Sequence, residues 1–260
     1  MDLGLKDKIA LVAASSQGLG YGTARALARE GAKVSICSHI ADEIHAAAAK
    51  LRQETGGTVL ATVCDVRKPE TIQAWVDRTV AEWGRVDALF TNAGGPPAAY
   101  FKEIGDAKWQ AAFELTLMSV VRMIRAALPH MGPGSAILSS TSSSVREPIE
   151  RLGLSNVMRA GVTNLIKTLA DELAADGIRA NTLIPGRIDT ERIVELDQAR
   201  ANKLGIPIEQ VRAESIAKIP MGRLGTIEEY GAAAAFLLSP AASYVTGASL
   251  RIDGGQMRSV

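Results

Sequence analysis

Short apolar runs alternate with longer segments of helical spacing from one end of this chain to the other, and that alternation constrains the fold more than any single residue. Residues 9–13, 33–38, 58–64, 87–91, 136–141, 178–184 and 248–252 read as strands. Helices are expected over 18–30, from near Asp42, and over 69–83, 106–131, 152–176, 191–203, 208–218 and 227–238. Pro69 suits a first helical turn, where its missing N–H would have had no partner. Gly177 suits a C-terminal cap. Strands that alternate with helices pair in parallel through right-handed crossovers. A parallel sheet buries both faces, so its strands run continuously apolar rather than alternating. The expected fold class is α/β, a doubly wound parallel sheet of about seven strands. The 260 residues suit one such domain. No repeat, linker or charge run divides them, and only 189–220 interrupts the alternation, as an insertion would.

The charge balance narrows the partners. With 29 Lys and Arg against 28 Asp and Glu, the net charge is +1. Such a chain has no general electrostatic pull toward nucleic acid or an anionic membrane, which leaves small molecules. The sequence passes from Met1 through Lys6-Asp7-Lys8 directly into the first strand, so no secretory signal is read there. The apolar run 232–238 is far too short to span a bilayer. Two cysteines, Cys37 and Cys64, make no disulfide framework and read as small buried hydrophobes, a redox or metal role being the lesser alternative. A reducing cytoplasm is the expected setting, and no metal site is expected.

The turn after the first strand reads Ala14-Ser15-Ser16-Gln17-Gly18-Leu19-Gly20 and leads into a helix. Glycines there let the backbone approach a pyrophosphate, while the helix N-terminus offers N–H groups and the positive end of its dipole. Ser15, Gln17, Gly18, Leu19 and Gly20 are therefore candidate contacts to a dinucleotide, strengthened by their place between strand and helix. An acidic residue ending the second strand would favour NAD by binding the ribose 2′-hydroxyl. Here that end reads Ile36-Cys37-Ser38-His39. With no carboxylate present, Ser38 and a protonated His39 can accept a 2′-phosphate, so the preference falls on NADP over NAD. The alternative is that His39 is simply a solvent-facing loop residue.

These features resemble the short-chain dehydrogenase/reductase family, and most of all its 3-oxoacyl-acyl-carrier-protein reductase-like members, over nearly the whole chain. Cys64-Asp65-Val66 resembles the family's Asp-Val, implying adenine contacts from Asp65 and Val66. Asn92-Ala93-Gly94 resembles the end of its Asn-Asn-Ala-Gly. Pro185-Gly186-Arg187-Ile188-Asp189-Thr190 resembles its nicotinamide-contacting Pro-Gly-x-x-x-Thr, implicating Pro185, Gly186, Ile188 and Thr190. Pro220-Met221-Gly222-Arg223, Glu228-Glu229, Thr246-Gly247 and Asp253-Gly254-Gly255 match family segments near the C-terminus. The resemblance implies a Rossmann fold, an NAD(P) cofactor, a substrate lid at 189–220 and a homotetramer joined through the two long helices. It also implies a carbonyl or alcohol substrate, such as a 3-oxoacyl thioester.

The departures fall on the chemistry. Ala13 and Ala14 stand where the family's turn has Thr-Gly, and a Cβ at Ala14 is harmless at negative φ but costly at positive φ. The family's helix Asn falls on Thr116. Its catalytic Ser is kept as Ser142, but its Tyr-x-x-x-Lys falls on Ser155-Asn156-Val157-Met158-Arg159. Spacing of four puts Ser155 and Arg159 on one helix face. A serine hydroxyl is shorter than a phenol and a poorer acid. Arg159 keeps the charge and can bind ribose or phosphate, but it stays protonated and cannot shuttle protons. Lys167, eight positions along the helix, is turned away from the same stripe and does not replace it. Arg146, Glu147, Glu150 and Arg151 form a charged loop that reads as solvated or as a subunit contact rather than as catalytic. Tyr100 near the cleft mouth reads as packing against the lid, and His130 as a helix-end residue. Two functions remain open: an oxidoreductase with an atypical proton route using Ser142 and Arg159, or a non-catalytic dinucleotide-binding protein. Ala14 alone favours a third, a scaffold without cofactor.

Overall fold

The structure is a computed structural model that describes residues 2–259. Seven strands, β1 (Ile9–Val12), β2 (Lys33–Ser38), β3 (Val59–Val63), β4 (Ala88–Thr91), β5 (Ala136–Ser140), β6 (Arg179–Pro185) and β7 (Ser249–Ile252), form one sheet. Their order is β3-β2-β1-β4-β5-β6-β7, and every neighbouring pair is parallel. The order reverses between β1 and β4, and in such sheets ligands bind outside the strand ends at that reversal.

Successive strand residues enter opposite layers, which is why the strands are apolar throughout. Ala10 and Val12 face α1 (Gly18–Arg29), α2 (Ala41–Thr55) and α9 (Ile227–Leu238), in a core with Leu27, Ile44, Leu51 and Tyr230. Ile9 and Leu11 face the other side, with Trp75 of α3 (Pro69–Trp83), Ile124 of α5 (Ser119–Ala127) and Ile166 of α6 (Gly153–Glu172). Trp75 satisfies its one donor by giving Nε1–H to Ser35 Oγ at 2.9 Å. Helices α1 and α9 touch backbone to backbone: a Cβ at Gly231 would lie 2.3 Å from Gly22 O.

The helix expected over 106–131 is broken. α4 (Asp106–Ala112) passes into a wide turn, Phe113–Met118, and then into α5. Pro129 sits at the start of a closing 3₁₀ turn, Leu128–His130. Apolar spacing is nearly the same for a normal and a widened turn, so nothing in the spacing marks the break. α6 stops before a 3₁₀ turn at Ala174–Asp176, and Gly177 caps that turn at φ +71°. The expected insertion holds α7 (Glu191–Leu204) and α8 (Ile208–Ile216). No helix among the described residues is long and apolar enough to cross a membrane.

Candidate active site

The turn from β1 into α1 is held in a strained shape. Ala14 sits at φ +47°, a left-handed conformation that costs a residue with a Cβ about 1–2 kcal/mol. Its neighbours fix it there. Ala13 N donates to Phe90 O at 3.1 Å, Ser15 N to Cys37 O at 3.0 Å, and Asn92 Nδ2 to Ala14 O at 3.4 Å. Ser15 is fully buried. Its hydroxyl donates to Val12 O at 2.8 Å and accepts from Cys37 N at 3.2 Å, so neither its hydroxyl nor its N–H is left to donate to a ligand. Gly20 is required by sterics, because a Cβ there would lie 2.3 Å from Ala14 O.

Gln17 precedes α1 without a side-chain cap, and the first turn of α1 carries no acidic residue. The helix therefore opens with N–H groups that no side chain covers, beside Gly18 at φ +58° and Leu19. A Cβ at Gly18 would meet Thr190 Cγ2 at 3.6 Å, so this turn and Thr190 face each other. Gly94 borders open space, with no atom within 4 Å of a Cβ built there. Uncovered donors and free room at the reversal fit a dinucleotide pyrophosphate.

At the far end of the cleft Ser38 is buried and His39 exposed. Asp65 is gripped by Arg67, whose Nε and Nη2 donate to its two oxygens at 2.9 and 2.7 Å. That pairing holds the Asp65 carboxyl down at about 2. Val66 packs into the core. Cys37 and Cys64 are free, buried and in one cluster, and burial pushes the Cys37 thiol up. Asn92 and Ala93 are half-buried, as is Pro185 at the end of β6. Gly186 admits the crossing chain: a Cβ there would lie 2.6 Å from Asp253 Cα. Ile188 turns its side chain into the core. A cavity of about 550 Å³ opens beside β7, lined in part by Arg187, Ile188, Arg223 and Asp253. Ser142, Ser155 and Arg159 do not line it.

Ser142 follows β5 and begins a 3₁₀ turn, Ser143–Val145. Its Oγ accepts from Ser144 N at 3.2 Å, which leaves the hydroxyl proton free to donate. Ser155, in the first turn of α6, is 8% exposed. One turn on, Arg159 gives Nη1–H to Ser140 O at 3.1 Å. The residue is half-buried, and Nη1 is the one guanidinium nitrogen that a protein carbonyl holds. Burial lowers its hold on the proton, and the nearby Arg192 charge adds to this while the Tyr230 phenol opposes it. Tyr230 is fully buried, and its hydroxyl donates to Ser140 Oγ at 2.9 Å. Thr116, in the wide turn, is buried with no partner for Oγ1. Lys167 is exposed and pairs with Asp171 at 3.8 Å.

Residues from α7 reach across the cleft, which the sequence did not reveal because their partners are about a hundred positions away. Arg192 Nη2 donates to Pro96 O at 3.0 Å. Its guanidinium lies over Gly95, where a Cβ would fall 3.1 Å from Nη2. Lys203 Nζ donates to the Tyr100 hydroxyl at 2.5 Å, and that hydroxyl donates to Glu150 at 2.8 Å. The expectation that Tyr100 packs against the lid segment agrees with this contact. Buried Asp197 anchors the same helix by accepting from Arg187 at 2.5 Å. Arg146, Glu147 and Glu150 are exposed.

A family model described as enoyl-(acyl carrier protein) reductase matches residues 13–257. The chain is 36% identical to cis-4-hydroxycyclohexanecarboxylate dehydrogenase of Sinomonas cyclohexanicum, with 96% of each chain covered. Among solved structures it is similar to L-sorbose reductase of Gluconobacter frateurii complexed with NADPH and L-sorbose. There the TM-score is 0.94 and the identity 31%, over 100% of both chains. It is also similar to a short-chain oxidoreductase of Pseudomonas aeruginosa PAO1 described as containing an atypical catalytic center. That match has a TM-score of 0.90 and 30% identity, over 99% of this chain and 100% of the other. With its seven parallel strands, its glycine turn and these matches along its length, the chain belongs to the short-chain dehydrogenase/reductase family.

Proposed function

We propose that this protein is an NAD(P)-dependent oxidoreductase that interconverts a carbonyl and an alcohol without a phenol as proton donor. The carrying observation is the Arg159 guanidinium, held at Ser140 O two residues before Ser142. The α1 turn, Asn92, Gly94 and Thr190 hold the dinucleotide, with Asp65 and His39 at its adenine end. A neighbour complexed with NADPH supports NADP as the first choice. When bound, the nicotinamide supplies or takes the hydride. Ser142 keeps a proton free to donate to the substrate oxygen, and Arg159, permanently charged, stabilises a developing alkoxide. Water supplies the proton. Helices α7 and α8 act as the lid. The reading includes a homotetramer built through α4, α5 and α6, which the 55% exposed Val157 on α6 supports. Two free buried thiols support a reducing compartment such as the cytoplasm.

A general acid contributes about 10²–10⁴-fold, so the wild type is expected to be slow. The test is NADPH oxidation across a panel of ketones, for the wild type and for Ser155→Tyr with Arg159→Lys. Slow wild-type turnover and a gain in the variant support the reading. Fast wild-type turnover unchanged by the variant overturns the missing-acid argument. A second reading, a dinucleotide binder without catalysis, is favoured by Ser155, which makes no side-chain hydrogen bond among the described residues. Calorimetric binding of NADPH with no turnover of any ketone supports that one instead.

A further inference from the structure

We propose that the segment after β7, residues 256–259, positions the loop that follows Ser142, and that Glu147 is the positioning residue joining the two. The inference rests on the oxidoreductase reading for what the loop does to a substrate. The junction itself rests on the bonds that make it.

One carboxylate oxygen makes the joint. Glu147 Oε1 accepts from Arg258 N and from Ser259 N, each at 3.2 Å. Two successive backbone N–H groups aimed at one anionic atom form a small anion-holding concavity, and bonds to an ionised acceptor are the stronger kind. Glu147 is exposed, so water could have served it. Its oxygen is instead committed to a segment 111 and 112 positions away.

That segment is seated firmly enough to act as a support. Gly254 and Gly255, at φ +62° and +83°, turn the chain as β7 ends, a shape glycine takes freely. Asp253 accepts from Gly255 N with Oδ1 and from Met257 N with Oδ2, both at 3.0 Å. Arg251, on β7, donates Nη1–H to Ser259 O. Met257 is buried, and Ser259 Oγ is shut away from water without a partner.

The loop needs such a support. Residues 146–150 are all exposed. The later half is tied down locally: Asn156 Nδ2 donates to Ile149 O at 3.1 Å, and the Tyr100 hydroxyl donates to Glu150 at 2.8 Å. The first half, 143–147, otherwise makes hydrogen bonds only within its own turn among the described residues, with Arg146 N and Glu147 N on Ser143 O. Glu147 is therefore the outside tie for the half that begins beside Ser142. In the oxidoreductase reading Ser142 donates to the substrate oxygen, and a misplacement of about 1 Å at such a group can cost about a hundredfold in rate.

The experiment compares wild type with Glu147→Ala, with a variant ending at Gly255, with the two changes combined, and with Glu147→Gln, whose amide oxygen still accepts. Amide hydrogen exchange is read first, on the intact protein without substrate. Glu147→Ala is expected to speed exchange over 143–147 and 256–259 together, and the shortened variant to speed it over 143–147 alike. NADPH oxidation across the ketone panel is read second. Each single change is expected to lower kcat/KM for the ketone by about tenfold or more while NADPH affinity moves less than about twofold. The combined variant is expected to be no worse than either single one, because both changes break the same tie. Glu147→Gln is expected to recover most of the loss. Exchange over 143–147 that is unchanged in Glu147→Ala overturns the proposal. So do losses that multiply in the combined variant, or ketone turnover that stays at the wild-type rate once the loop has loosened. If no ketone is turned over by wild type while the two segments loosen together, the oxidoreductase reading fails and the junction stands.

Discussion

Ala14 shows how much one methyl group can mean at a turn. The backbone there takes a left-handed shape that glycine adopts freely, yet the sequence supplies a Cβ at φ +47°. Hydrogen bonds from neighbouring strands hold the shape. Replacing Ala14 by Gly relieves about 1–2 kcal/mol of strain and gives back part of it as unfolded-state entropy. The expected net gain is up to about 1 kcal/mol, read as a higher urea midpoint at unchanged slope. Asp65 gives a residue-scale prediction of the opposite kind. Arg67 lowers its carboxyl from 3.8 to about 2. A carboxyl depressed by folding adds stability that is complete above its unfolded pKa and lost as the pH falls through the folded one. Arg67→Ala should therefore cost under about 1 kcal/mol at neutral pH, since Arg67 is largely exposed. The difference from wild type should shrink as the pH falls toward 2 and vanish below it, and an NMR titration should show Asp65 returning toward its ordinary value.

At the scale of elements, α9 and the α4–α5 break carry the most information. Thr226 caps α9 by accepting from Glu229 N at 3.2 Å, and the Glu229 carboxylate accepts from Thr226 N at 2.9 Å. Losing such a cap costs about 1 kcal/mol, which Thr226→Ala should show in thermal unfolding. Past the cap, α9 meets α1 without side chains between them. Gly231→Ala drives a methyl into Gly22 O, and overpacking of this kind costs about 1–3 kcal/mol. Because α1 also carries the glycine turn proposed to hold the dinucleotide, weaker NADPH binding should accompany that loss. The widened turn Phe113–Met118 buries Thr116 with its hydroxyl unsatisfied. Widened turns of this sort recur at functional sites, and this one packs against α6, which carries Ser155 and Arg159.

For the molecule as a whole, a homotetramer through the long helices predicts a light-scattering mass four times that of the chain. A mass of one chain would remove that part of the reading and leave the site within a single subunit untouched.

Strand count, parallel pairing and the place of the glycine turn followed from the sequence because each is a local pattern. Continuous apolar runs imply a sheet covered on both faces, and helices between them imply crossovers. Ser142, Ser155 and Arg159 were singled out by the family resemblance alone, and spacing added only that Ser155 and Arg159 share a helix face. Tertiary structure alone decided the rest. The sign of φ at Ala14 depends on Phe90, Cys37 and Asn92, which lie far along the chain. The burial of Ser15 and Ile188 depends on which way a turn rolls against the sheet. Arg192 and Lys203 reach Pro96 and Tyr100 only because α7 folds back over the loop after β4. The bond from Arg159 to Ser140 O belongs to a neighbourhood, and that neighbourhood exists only once the chain has folded.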